Sequence, residues 1–284
     1  MLLIFMKVVF DKKCLEYEFF SHPESPERVK KIKNVLEMLG AEFVKPEDIT
    51  ERELLKVHEK KFVERLKLKE YFDPDTPCIE FCYPLLSAAC AVKAAKVCGF
   101  SLARPPGHHA GKNFLGGFCY LNNVAIALES IRKEDEKAVI LDIDAHHGNG
   151  TENIFFGREN VLYISLHQHP LYSGTGRESR KNCINFPLLP YTTGALYLKT
   201  LAKAVEYIEK ISPQIIAISL GFDTYVNDPL SQFMLSPKDF EEIGKIISGV
   251  LKNVEKWFIV LEGGYAEDVD IAAYYFFDGL WKVV

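Results

Sequence analysis

Two aspartates and a histidine stand at alternate positions, Asp142, Asp144 and His146, where the apolar run Val139-Ile140-Leu141 gives way to His147-Gly148-Asn149-Gly150. An apolar run bounded by charge on one side and glycine on the other predicts a buried strand ending in a loop. Successive strand side chains alternate faces, so the three point the same way if the extended conformation persists. Crowded together, two carboxylates and an imidazole repel or go unsatisfied unless positive charge sits among them. A divalent metal supplies that charge, and aspartate with histidine favours zinc or another first-row ion. The competing reading is a strand end with solvated acids and a core histidine. Open parallel sheets place their chemistry at strand ends, which puts the candidate site here.

Three further loops carry the same kind of residue. Arg104-Pro105-Pro106-Gly107-His108-His109 sets two histidines in tandem where no helix is tolerated. GFDTYVNDPL at 221–230 follows a nearly all-apolar stretch and offers Asp223. Glu262-Gly263-Gly264-Tyr265 closes the set. Its glycines let backbone approach a pocket closely, although the tetrapeptide alone is equally compatible with a packed tyrosine.

The elements that must hold these loops follow from punctuation and periodicity. A short strand is expected over 7–10. Ser25-Pro26-Glu27 opens a helix, with Val29, Ile32, Val35, Leu36 and Leu39 on one face and Gly40 at its end. Thr50-Glu51-Arg52-Glu53 has capping-box spacing and starts another. An alanine-rich helix over about 84–97 precedes a strand over 100–103, which leads into the tandem histidines. A helix over 123–131 and strands over 138–142 and 161–165 come next. A long helix over 194–211, a strand over 214–220, a helix capped at Ser236-Pro237-Lys238-Asp239 and a strand over 257–261 complete the pattern. Strands alternating with helices predict the α/β class, with a mostly parallel sheet covered on both faces. No linker, repeat or low-complexity tract divides the chain, so 1–284 reads as a single domain.

Composition bounds the function. Of 284 residues, 48% are hydrophobic and 26% charged, ordinary proportions for a globular enzyme. A formal net charge of -5 with no basic block disfavours direct nucleic-acid binding. Lys30-Lys31 and Lys60-Lys61 read as solvated helix faces. No apolar run approaches a membrane span, and 1–10 is too short for a signal peptide. The seven cysteines are odd in number and form no CxxC pair, which suggests reduced thiols and a cytoplasmic location. Cys78 and Cys82 share a spacing of four but lack partner histidines nearby. Only Gln168, Gln214 and Gln232 represent glutamine, a bias in the direction of thermophiles.

The four motifs, in this order and with HPESPERV at 22–29, resemble those of the zinc-dependent histone deacetylase superfamily, which includes acetylpolyamine amidohydrolases and acetoin-utilisation proteins. The resemblance implies a three-layer α/β/α domain with about eight strands, the arginase/deacetylase fold. It implies a single catalytic zinc held by Asp144, His146 and Asp223, with an open coordination position. His109 would act as general base and then as acid for the departing amine, with His108 assisting, and Asp142 and Asn149 would orient the two imidazoles. Some class I enzymes carry aspartate at the place of Asn149, which makes this chain resemble class II. Tyr265 matches the tyrosine that donates its hydroxyl to the oxyanion. Phe118 and Tyr172 match the aromatic walls of a narrow tunnel, and Gly117 a carbonyl that accepts the substrate amide hydrogen. Asp75 resembles the rim aspartate, with a plain turn aspartate as alternative. Arg28 resembles the arginine of the cavity for released acetate, with a surface helix arginine as alternative. Asp142, Asp144, His146, Ser165 and Leu166 match a monovalent-cation site suited to potassium. His167 is expected to pack under the site, His169 to lie at the rim, and His22 and His58 to be structural.

The implied reaction removes acetyl or another short acyl group from a lysine-like amine or a polyamine, releasing acetate and free amine. Polyamine-preferring eukaryotic relatives carry glutamate just after the DP of the third motif, where this chain has Leu230. An uncharged leucine cannot read a distant ammonium. The chain also lacks room for the long insertion of some bacterial acetylpolyamine enzymes. An arginase-type ureohydrolase needs second-metal aspartates where Gly148 and Tyr225 stand. A non-catalytic acyl-lysine binder on the same fold would be expected to have lost a ligand, a tandem histidine or the tyrosine, and all are present.

Overall fold

Apolar runs bounded by glycine, proline and charge become strands, and the stretches between them become helices. The structure, a computed structural model, describes residues 7–281. In chain order the first half holds β1 (Lys7–Val9), a 3-10 turn (Lys12–Leu15), α1 (Pro26–Met38), β2 (Glu42–Val44), α2 (Glu51–Leu54), α3 (Lys60–Leu68), α4 (Cys82–Val97), β3 (Phe100–Ser101), α5 (Asn123–Ile131) and β4 (Ala138–Asp142). The second half holds α6 (Asn149–Phe155), β5 (Val161–Gln168), β6 (Cys183–Leu188), α7 (Gly194–Ile211), β7 (Ile215–Leu220), α8 (Pro237–Leu251), β8 (Lys256–Leu261) and α9 (Val269–Trp281).

The eight strands form one sheet in the order β2-β1-β3-β8-β7-β4-β5-β6, and every pairing is parallel. Alternation divides the core into two layers. Val139 and Leu141 of β4 enter one cluster with α1, α7, α8 and α9. Ala138 and Ile140 enter the other with α3, α4 and α5. This is the three-layer α/β/α architecture, with the sheet wholly rather than mostly parallel. Parallel strands send all their C-terminal ends to one edge. Because β3, β8, β7 and β4 are consecutive neighbours, the loops carrying the tandem histidines, EGGY, Asp223 and Asp144 emerge side by side. Residues more than a hundred positions apart are brought together by strand order alone.

Several boundaries differ from expectation. β3 is two residues long rather than four, and β5 continues to Gln168. The capping boxes at Thr50/Glu53 and Ser236/Asp239 both form, whereas Ser25 makes no side-chain cap bond. Elements not foreseen include β2, α6, β6, α9 and the 3-10 turn. The first is only three residues long, and β6 contains Asn185 and Pro187, which an edge strand tolerates. α9 packs against both α8 and α1, so its apolar residues surround it and leave little periodic stripe.

Candidate active site

β4 delivers Asp142 and then stops. The extended conformation does not persist beyond it, because 144–146 bend. The expectation that strand alternation aligns the three side chains is therefore corrected. Asp142 Oδ1 accepts from Asp144 N–H at 3.2 Å, and Asp144 Oδ1 accepts from His146 N–H at 2.9 Å. Each aspartate thus turns the chain for the next residue. Asp142 faces His108, whereas Asp144 and His146 face Asp223.

The latter three are buried, and their ligand atoms all lie within 4.8 Å of one another. His146 Nδ1 lies 3.1 Å from Asp144 Oδ1 and 2.8 Å from Asp223 Oδ2. The remaining carboxylate oxygens are fixed by backbone. Gly263 N–H donates to Asp144 Oδ2 and Ala145 N–H to Asp223 Oδ1, each at 2.8 Å. Burial and the neighbouring Asp144 push the Asp223 carboxyl up to about 8. Two buried carboxylates converging on an imidazole, each with one oxygen turned toward it, fit a divalent ion of the zinc type. A second buried group, His108, Cys119 and Glu262, also has ligand spacing. Its Glu262 oxygens are already engaged. Gly107 N–H and His108 N–H donate to Oε2 at 2.7 and 3.1 Å, and Ser219 Oγ–H to Oε1 at 3.1 Å. That carboxylate clamps the tandem-histidine loop, a role not read from the motif, whose first residue offered only its burial-contrary charge as a signal.

His108 Nδ1–H donates to Asp142 at 3.1 Å, and His109 Nδ1–H donates to Asn149 Oδ1 at 2.7 Å. The rings lie 4.0 Å apart. Burial lowers both, but Asp144, Asp142 and Glu262 override it for His108 and lift it to about 10. His109, beside His108 and His146, is held well below the usual imidazole range. Arg104, the first residue of this loop, is buried against the Tyr17 ring and donates from Nε and Nη2 to Glu24 at 2.6 and 2.7 Å. Neither Arg104 nor Glu24 was assigned a part from sequence.

Tyr265 N–H donates to the buried Asp228 at 2.6 Å. Arg28 is buried rather than on a helix surface, which removes that alternative. Its Nε donates to Gly264 C=O at 2.8 Å, its Nη2 to Glu262 C=O, and it lies 5.1 Å from the Tyr265 ring.

A cavity of about 370 Å³ opens onto these groups. Among its lining residues are His108, His109, Gly117, Phe118, Tyr172, Leu230 and Tyr265, with Asp75 at the mouth. Tyr172 stands perpendicular to His109 at 4.9 Å and Phe118 to Tyr265 at 5.6 Å. Phe118 holds φ +70, a region costing a non-glycine residue about 1–3 kcal/mol, and Thr76 Oγ1 pins its N–H at 3.0 Å. The Gly117 carbonyl receives a 3.4 Å contact from Cys119 Sγ. His22, expected to be structural, does hold the Asp75 carbonyl at 3.3 Å, but it also lines the cavity. His58 is buried between Gly111 C=O and Asn122 N–H. His169 is not among the residues that line the cavity, although the nearby Leu171 and Tyr172 are. Ser165 pairs with Asp142 in the β4–β5 register, which brings Leu166 close as well.

An all-parallel sheet with this carboxylate–imidazole set and tandem histidines at its C-terminal edge defines the arginase/deacetylase fold. Residues 22–275 match the family model of the histone deacetylase domain, and the chain belongs to this family. A probable deacetylase of Archaeoglobus fulgidus is 33% identical over 91% of this chain and 81% of its own. The crystal structure of acetylpolyamine aminohydrolase from Burkholderia pseudomallei superposes with a TM-score of 0.86 at 25% identity, covering 98% of this chain and 99% of that one. The HD domain of HDA15 gives a TM-score of 0.86 at 30% identity, covering 96% and 90%. Family membership supports a deacetylase function.

Proposed function

We propose that the chain is a single catalytic domain that hydrolyses the acetyl amide of a lysine-like side chain with one zinc ion. The observation that carries this is the convergence of Asp144, His146 and Asp223 beneath a cavity also lined by His108, His109 and Tyr265. Those three ligands would hold the ion, which supplies Lewis acidity toward water and the amide carbonyl. Asn149 fixes His109 through Nδ1 and leaves its other nitrogen for the cavity, where it takes the proton of the attacking water. The same nitrogen returns the proton to the amine as the C–N bond breaks, so water and amide become carboxylate and amine. His108, held by Asp142, adds positive charge beside the reacting atoms. Tyr265 donates its hydroxyl where negative charge builds on the carbonyl oxygen. Phe118 and Tyr172 admit a slender methylene chain, and the Gly117 carbonyl accepts the amide hydrogen.

Arg28, beside the Tyr265 ring, would take the released acetate. Asp142, Asp144, His146, Ser165 and Leu166 would form the potassium site. The seven free cysteines favour a reducing cytoplasm, and no described helix is long and apolar enough to cross a membrane. The likeness to an acetylpolyamine aminohydrolase favours a second substrate, an acetylated polyamine, against which the uncharged Leu230 in the cavity lining argues. Turnover of an acetyl-lysine peptide and of N-acetylputrescine, measured side by side at saturating zinc, decides between them. Faster peptide turnover is expected. Binding of acetyl-lysine without hydrolysis of any acylated amine would assign the chain to the non-catalytic binders.

A further inference from the structure

We propose that Thr175 and His147 form a latch that holds Tyr172 against the cavity and ties this wall to the metal-ligand loop. The inference rests on the function proposed above. Tyr172 is 43% exposed and sits on a surface loop, yet its ring keeps a perpendicular contact with His109. Burial alone does not fix such a side chain. The loop backbone closes on itself, with Gly174 N–H donating to Leu171 C=O at 2.8 Å. Two buried imidazoles hold it from beneath.

His167 Nε2–H donates to Gly176 C=O at 3.0 Å, and the Thr175 hydroxyl donates to His147 Nδ1 at 2.7 Å. Gly176 adopts φ +74, and a β-carbon there would lie 2.5 Å from His167 Nε2 and 2.6 Å from His147 Cγ. The loop therefore rests directly on both rings. The direction of the Thr175 bond follows from its far end. His147 Nε2 lies 3.1 Å from Glu152 Oε2, and a carboxylate only accepts, so Nε2 carries a proton and Nδ1 is left as acceptor. Ser173 Oγ, 2.7 Å from Thr175 Oγ1, extends the chain toward Tyr172. Asn185 of β6 donates to Glu152 at 2.8 Å and anchors the other end in the sheet. His147 directly follows the ligand His146, so one turn carries both the metal site and the support of the wall. Thr175 and His147 are positioning residues, acting through Tyr172 on how tightly a chain is gripped.

Thr175→Val keeps the size of an exposed side chain and removes only the hydroxyl, and Thr175→Ser returns it. Amide hydrogen exchange over 170–178 should quicken in the valine variant and return to the wild-type rate with serine. On an acetyl-lysine peptide, KM should rise roughly threefold to tenfold, the loss of one hydrogen bond, with kcat within about twofold and zinc content unchanged. Wild-type exchange in the valine variant overturns the latch. Quicker exchange with unchanged KM overturns its tie to Tyr172, and a loss of zinc with kcat overturns the positioning role. If no acylated amine is hydrolysed by the wild type, the function proposed above fails, while exchange still decides whether the latch exists.

Discussion

At the scale of single residues, Tyr265 separates an enzyme from a binder. Its half-buried phenol lies beside Phe118 and Arg28, and the hydroxyl matters more as charge develops on the carbonyl than in the bound substrate. Tyr265→Phe should therefore cut kcat by roughly 10²–10³-fold, the cost of one oxyanion donor, while zinc content and KM hold. Single-turnover rates on an acetyl-lysine peptide check this, and equal rates would mean a merely packed tyrosine. Glu262 lends itself to a different test. Glu262→Gln keeps an acceptor toward Gly107 and His108, whereas Glu262→Ala removes the partner of three buried donors, Gly107 N–H, His108 N–H and Ser219 Oγ–H, at about 1–3 kcal/mol for each left unmatched. Urea unfolding should rank wild type and Gln together, well above Ala. Residues of this kind are hard to read from sequence. Asp144, His146 and His109 stand out because acids and imidazoles cluster in loops of glycine and proline. Glu262 and Glu24 are single acids, and their partners, the backbone of 107–108 and Arg104, become neighbours only once the chain is folded.

At the scale of elements, the Arg104–Glu24 pair fastens the tandem-histidine loop to the segment before α1. Burial raises the Glu24 carboxyl, but Arg104 overrides it and holds it below the ordinary glutamate range. A carboxyl depressed on folding contributes stability that is present above its unfolded value and is lost as pH falls through the folded one. Thermal stability should accordingly drop on acidification below the usual glutamate range, and Glu24→Gln should flatten that limb of the profile. The variant also leaves a buried guanidinium without its counter-charge, at a cost of about 3–5 kcal/mol at neutral pH. Melting curves recorded from pH 7 down to acid measure both effects, and a parallel acid limb in the variant would remove Glu24 as its source. Legibility at this scale followed the chemistry of each segment. α5, β4 and α7 were bounded correctly because glycine, asparagine or charge flanks a clear apolar pattern. β2 is too short at three residues, and α9 too uniformly apolar, for periodicity to speak. α6 hides within what reads as the loop after β4, because Asn149-Gly150 signals a turn while Gly148 serves as the residue before its first turn.

At the scale of the whole molecule, strand order does what no local pattern announces. The neighbouring positions of β3, β8, β7 and β4 bring four loops separated by long stretches of chain onto one edge, and parallel pairing points them the same way. The alternation of strands and helices predicted the parallel sheet, but not its order, which depends on how the crossover helices pack. On the proposed function, these loops assemble a single metal site on which hydrolysis depends. Metal content and acetyl-lysine turnover measured together on wild type and Asp223→Ala test it most directly. One tightly held ion per wild-type chain is predicted, with ion and turnover lost together in the variant. Two tightly held ions in the wild type, or a variant that turns over substrate without metal, would contradict the proposed function.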